Sequence, residues 1–117
     1  MKTQKITANN LERLKDLDLH DSKLTEIICN YDTHEVNIPL KLDYLNKKNV
    51  FVSLKFSNVK KFFVEILEPW GAGIYIHEIK VKSQNLEDDS HFFELIILLN
   101  SGDRICIISN EINYYEE

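Results

Sequence analysis

Glycine and proline are scarce in this chain, at three and two residues of 117. That scarcity excludes collagen-like and low-complexity architectures and leaves few places for turns that demand special backbone geometry. Cysteine is as rare. Cys29 and Cys106 are far apart and have no CxxC spacing, so a zinc ribbon and a dithiol motif are excluded and both thiols are expected to be reduced and structural. No long apolar run is present either, because the strongest, Phe92–Leu99, is too short to cross a bilayer and is interrupted by Glu94. The opening MKTQKITANN holds no apolar signal core, so a cytoplasmic location without membrane association is expected. Basic character is also lacking. Nineteen acidic against 14 basic side chains give a net charge of −5, and neither Lys47-Lys48 nor Lys60-Lys61 joins a larger basic cluster with stacking aromatics. Such a field repels phosphate backbones, which argues against a nucleic-acid partner.

What remains is ordinary globular composition, with 44% hydrophobic and 28% charged residues. Single domains cluster at roughly 100–150 residues, so residues 1–117 are expected to form one domain. Leu11, Leu14 and Leu17 recur at helical spacing between Glu12, Arg13, Lys15 and Asp16, which predicts one short amphipathic helix over about 10–17. Asn9 is placed to cap it, and Glu12, three residues on, sits where a capping-box acid belongs.

From residue 23 onward the period becomes two. Val36, Ile38, Leu40 and Leu42 alternate with Asn37, Pro39 and Lys41, and Val50, Val52, Leu54 and Phe56 repeat the pattern after a turn at 46–49. Pro39 lacks a ladder donor and marks an edge or a bulge. KKFFVEIL, GIYIHEIKV, HFFELIILL and DRICIIS continue the series, separated by PWGAG, NLEDDS and NSGD. HFFELIILL is apolar on nearly both sides, as a central, covered strand would be. The expectation is an α+β, mostly β fold: one short N-terminal helix, then about seven antiparallel strands over residues 23–110 in a sandwich or curved meander, with an acidic aromatic tail at 111–117.

The candidate sites begin with His20, Asp21 and Ser22, the residue types of a hydrolytic triad in consecutive positions. In an extended segment neighbouring side chains face opposite ways, and His20 and Ser22 would stand roughly 6.6 Å apart. A triad needs contact of about 2.6–3.2 Å between nucleophile and base, and there is no GxSxG elbow. The tripeptide therefore reads as joinery: Asp21 and Ser22 accepting from nearby backbone amides at a helix-to-strand junction. No catalytic residue and no enzyme activity is expected. The four histidines, His20, His34, His77 and His91, show no ligand spacing, so no metal or other cofactor is expected. Trp70, beside Pro69 and followed by Gly71 and Gly73, reads first as a core or turn residue and second, with His77, as the wall of a pocket. Asn100, Ser101, Gly102 and Asp103 form the strongest hairpin signal, Gly102 supplying the positive φ. Glu87, Asp88 and Asp89, together with Tyr114, Tyr115 and Glu116, combine carboxylates with tyrosines, the chemistry of a patch that docks on a basic protein.

LDLHDSKLTEI, LKFSNV, WGAGIYIHEIKV and ILLNSGDRICIISNEI together resemble the YxiG-like and immunity-protein-like group of small bacterial proteins, over about Leu17 to Ile112. The resemblance implies a β-rich domain, some of whose relatives are encoded beside polymorphic toxin genes and neutralise a cognate toxin. It carries over no catalytic residue. His20, Asp21, Ser22, Asn100, Ser101, Gly102 and Asp103 match its recurrent positions, with a structural role. The expected function is accordingly stoichiometric binding of a protein partner, with a small-ligand or sensory module near Trp70 as the alternative.

Overall fold

In the computed structural model, residues 2–44, 47–83 and 91–116 are described. Ten strands and one helix follow in the order β1 (Lys2–Thr7), a 3-10 helix (Leu11–Leu17), β2 (Lys23–Leu24), β3 (Ile28–Asn30), β4 (Glu35–Tyr44), β5 (Lys47–Ser57), β6 (Lys61–Val64), β7 (Ile76–Ser83), β8 (Phe93–Leu99), β9 (Arg104–Ser109) and β10 (Glu111–Glu116). All the ladders are antiparallel. One sheet runs β1-β10-β5-β4-β2, with β3 also on β4; the other runs β6-β9-β8-β7. The fold is thus mostly β with one short helix, as two-residue alternation predicts.

The alternation decides how the sheets meet. Val36, Ile38 and Leu40 of β4 and Val52, Leu54 and Phe56 of β5 share one buried face with Ile112 and Tyr114. Against them lie Phe93, Leu95 and Ile97 of β8 and Ile105 and Ile107 of β9, in one continuous core that draws on both sheets. Each such side chain contributes about 1.5–3 kcal/mol on burial, which is why the facing of the strands is not negotiable. The chain passes between sheets at two adjacent corners. Ser109 Oγ donates to Ser57 O at 2.6 Å and Asn58 Nδ2 to Asn110 Oδ1 at 3.0 Å, so the corners tie each other down.

Several expectations need correction. Residues 2–7 form a strand, and the anticipated tail is β10, hydrogen-bonded between β1 and β5. Tyr114 is consequently 3% exposed, facing the core, and cannot serve as a docking residue. Ile112 and Tyr114 alternate with Asn113 and Tyr115, a period-two signal that charge at the terminus obscured. The helix is 3-10 rather than α, and its apolar residues fall at i, i+3 and i+6 with none at i+4, which suits three residues per turn. It starts after Asn10, not Asn9, and no side-chain cap bond forms; Asn10 Oδ1 accepts from Thr7 N at 2.6 Å, tying the helix to the end of β1. Pro39 faces Ser53 of β5 and lies opposite the break between β2 and β3 on the other side, where no donor is missed. β8 is central, but only one of its faces is fully buried; Ile96 and Leu98 are half-buried on the outside. Lys47 already belongs to β5, while residues 45 and 46 and the acidic loop Glu87, Asp88 and Asp89 lie outside the described residues.

Candidate functional site

Three segments remote in sequence meet at one end of the sandwich. The connection from β6 to β7, residues 65–75, carries Trp70. It is held by the β8–β9 hairpin, whose Asp103 is 4% exposed. The Asp103 carboxylate accepts from Leu67 N at 2.7 Å, from Glu68 N at 3.1 Å and from Ser101 Oγ at 2.9 Å. These donors hold its pKa below the ordinary aspartate value, the Leu67 amide foremost, against the opposing effect of burial. Glu68 itself adopts φ 48, a left-handed conformation uncommon for such a side chain, and its amide bonds to both Asp103 oxygens offset that strain.

Further ties follow along the loop. Arg104 grips Glu65 through Nε at 3.0 Å and a second guanidinium nitrogen at 3.3 Å, which lowers the Glu65 pKa, while Glu65 N donates to Arg104 O at 3.0 Å. Trp70 N donates to Ser101 O at 2.9 Å, and Tyr75 N to Asn100 Oδ1 at 3.2 Å. Gly102, at φ 89, lies directly under the loop. A Cβ there would stand 2.7 Å from Pro69 Cγ and 2.9 Å from Trp70 Cδ2. The hairpin residues Asn100, Ser101, Gly102 and Asp103 thus do more than turn the chain: they position the loop that carries Trp70.

The third segment is 20–24, which pairs with the end of the same loop. Asp21 N donates to Ile76 O at 2.8 Å, Ile76 N to Ser22 O at 2.9 Å and Leu24 N to Ile74 O at 2.7 Å. The junction is closed by main chain. Ser22 is buried and its Oγ has no hydrogen-bond partner, so the expected side-chain role for Ser22 is not found. Asp21 also departs from the extended geometry expected of it. At φ 65 it turns its carboxylate toward His20, and Nδ1 of His20 lies 3.1 Å from Asp21 Oδ2. Histidine and aspartate therefore meet in solvent, but without Ser22 they form no triad. Among the described residues, no three His, Cys, Asp or Glu side chains cluster as a metal site, and no helix is long and apolar enough to cross a membrane.

A bulge in β7, where Ile76 faces Leu99 and Glu78 faces Leu98, leaves His77 as the extra residue and re-aims it. Its ring meets Trp70 edge-on at 6.4 Å and His20 at 6.1 Å. Trp70 lies in a turn, as one of its expected roles has it, but at 65% exposure it belongs neither to the core nor to the wall of an enclosed pocket. Beside it, Ile66 and Leu67 are 82% and 74% exposed, and Ile74 and Tyr75 are exposed as well. Reading KKFFVEIL as one strand hid Ile66 and Leu67, since β6 ends at Val64. The clue was the Glu68-Pro69 pair, which cannot continue a ladder. Of the remaining anticipated docking residues, Tyr115 is exposed and Glu116 half-buried on β10.

No protein-family model matches this chain, and no curated protein matches it. Among solved structures, it is similar to an uncharacterized protein from Neisseria gonorrhoeae, at 20% sequence identity, with 97% of each chain covered and a TM-score of 0.56. That likeness concerns the fold.

Proposed function

We propose that this protein is a stoichiometric binding protein of the toxin-neutralising kind, and that it engages its partner through the 65–75 loop. The observation carrying the reading is Trp70, held out in water on Gly102 by a loop whose backbone is tied to Ser101, Asp103 and Arg104. Keeping several large apolar side chains in water is unfavourable unless a surface covers them, and contiguous exposed apolar groups mark interaction sites. A rigid loop also loses little conformational entropy on binding, and tryptophan is the residue most often found at the energetic centre of an interface. Asp21 and Glu68 stand exposed near this end of the molecule, so a partner with an apolar pocket and a basic rim is its complement. The neutralising role adds the family resemblance to this surface; the tyrosine patch of β10 is not needed for it.

The test is co-expression with the protein encoded by the adjacent gene, followed by size-exclusion chromatography and calorimetry. A one-to-one complex burying about 1,200–2,000 Å² is expected, weakening with added salt as screening removes the acidic steering. Trp70→Ala should lose about 2 kcal/mol or more of binding while leaving the fold intact. Absence of a complex and of protection, or full-strength binding by the Trp70 variant, would refute the proposal.

A further inference from the structure

β7 ends its sheet: β8 occupies one side, and among the described strands none occupies the other. Its first residue is nonetheless paired on that outer side, by two main-chain bonds: Asp21 N donates to Ile76 O, and Ile76 N donates to Ser22 O. The ladder begun by residues 20–24 therefore starts along β7 and stops after Ile76, because the chain before Leu19 winds into the 3-10 helix. From there the helix and β7 form the opposite walls of a groove of about 660 Å³. Leu11, Ile79 and Val81 line it, half-buried at the margin of the core. On the solvent face of the same stretch stand Glu78, Lys80 and Lys82, all exposed.

The geometry points to strand addition: β7 accepts a single extended segment of a partner protein, antiparallel, continuing the ladder that Ser22 and Ile76 begin. Its composition follows from the register. Opposite Lys82, Val81, Lys80, Ile79 and Glu78, the segment carries acidic, aliphatic, acidic, aliphatic and basic residues in that order from its amino end. The aliphatic pair completes the apolar margin beneath Leu11, and the charged residues make cross-strand pairs. A single strand occupies 4.7–4.9 Å across the ladder, as any sheet neighbour does, and the groove between β7 and the 3-10 helix is where it would lie. A second copy of the chain is the poorer occupant, because its own β7 would bring Lys80 and Lys82 to an edge that already carries them. The inference is independent of the Trp70 surface and stands or falls separately.

The probe is a fluorescein-labelled, end-blocked peptide Ser-Glu-Val-Glu-Val-Lys-Ser, titrated with the full chain by polarisation, with amide hydrogen exchange read along β7. Saturable binding is expected, with new protection confined to β7 beyond Ile76. The Lys80→Glu, Lys82→Glu double variant should bind it about tenfold more weakly and should prefer Ser-Lys-Val-Lys-Val-Lys-Ser instead. Trp70→Ala should leave peptide binding unchanged, which separates this site from the proposed docking loop. No saturable binding at millimolar peptide, equal binding of both peptides to the parent protein, or protection away from β7 would overturn the inference. So would a concentration-dependent doubling of mass that protects β7 without peptide, which would give the edge to a second copy.

Discussion

Replacing Gly102 by alanine tests the joint between hairpin and loop most directly. The new Cβ carries two separable penalties. At φ 89 an L-residue is strained by about 1–2 kcal/mol. The methyl would also stand 2.7 Å from Pro69 and 2.9 Å from the Trp70 ring, so the loop must shift against the bonds its amides donate to Asp103 and Ser101, adding about 1–2 kcal/mol of overpacking. The total is about 2–4 kcal/mol, and with a urea slope of about 1–1.5 kcal/mol per molar the midpoint should fall by about 2 M. Trp70 is the only tryptophan, so native-state fluorescence reads the loop while far-ultraviolet circular dichroism reads the sheets. Gly71→Ala is the control, since Gly71 has φ 102 but nothing within 4 Å of a Cβ. It should cost only the backbone part, about 1–2 kcal/mol, and leave the emission where it is. Equal effects of the two substitutions, or an unchanged midpoint and emission for Gly102→Ala, would refute the claim that Gly102 seats the tryptophan.

Asp103 should contribute a pH dependence. Its folded pKa lies below the unfolded value, so its contribution is complete above about pH 4 and is lost as pH falls through the lower folded value. Urea midpoints from pH 7 to pH 2 should show Asp103→Asn less stable than the parent at neutral pH, with the gap closing in acid; a constant gap would contradict this. Tyr114→Ala, opening a cavity between the sheets, should cost about 3 kcal/mol by chemical denaturation, whereas Tyr115→Ala should stay within about 0.5 kcal/mol. Cys29 is exposed, while burial and then the Glu94 carboxylate push the Cys106 thiol pKa up. A chromogenic disulfide reagent at pH 8 should therefore label Cys29 promptly and the half-buried Cys106 more slowly; equal rates would contradict the assigned difference.

Alternation along single strands needs no partner to be visible, because a pleated chain puts every second side chain on one face. Val36 to Leu42 and Val50 to Phe56 therefore announced both their strands and their buried sides in advance. The Asn100–Asp103 turn was legible for the same reason, its chemistry being contained in four consecutive residues. β1 and β10 were not, since short, partly charged strands are stabilised by pairing with each other and with β5 rather than by a local pattern.

The sequence by itself determined the period, and with it a β-rich chain whose long strands have one apolar face each. Only the tertiary structure decided that LHDS, PWGAG and LNSGD are a single construction: hydrogen bonds from the Leu67 amide to Asp103 and from the Ile76 amide to Ser22 join residues distant along the chain. Exposure was decided there too. Ile66 and Trp70 are as apolar as Ile105, and nothing in their chemistry distinguishes them; what separates surface from core is which backbone positions remain after the ladders have formed.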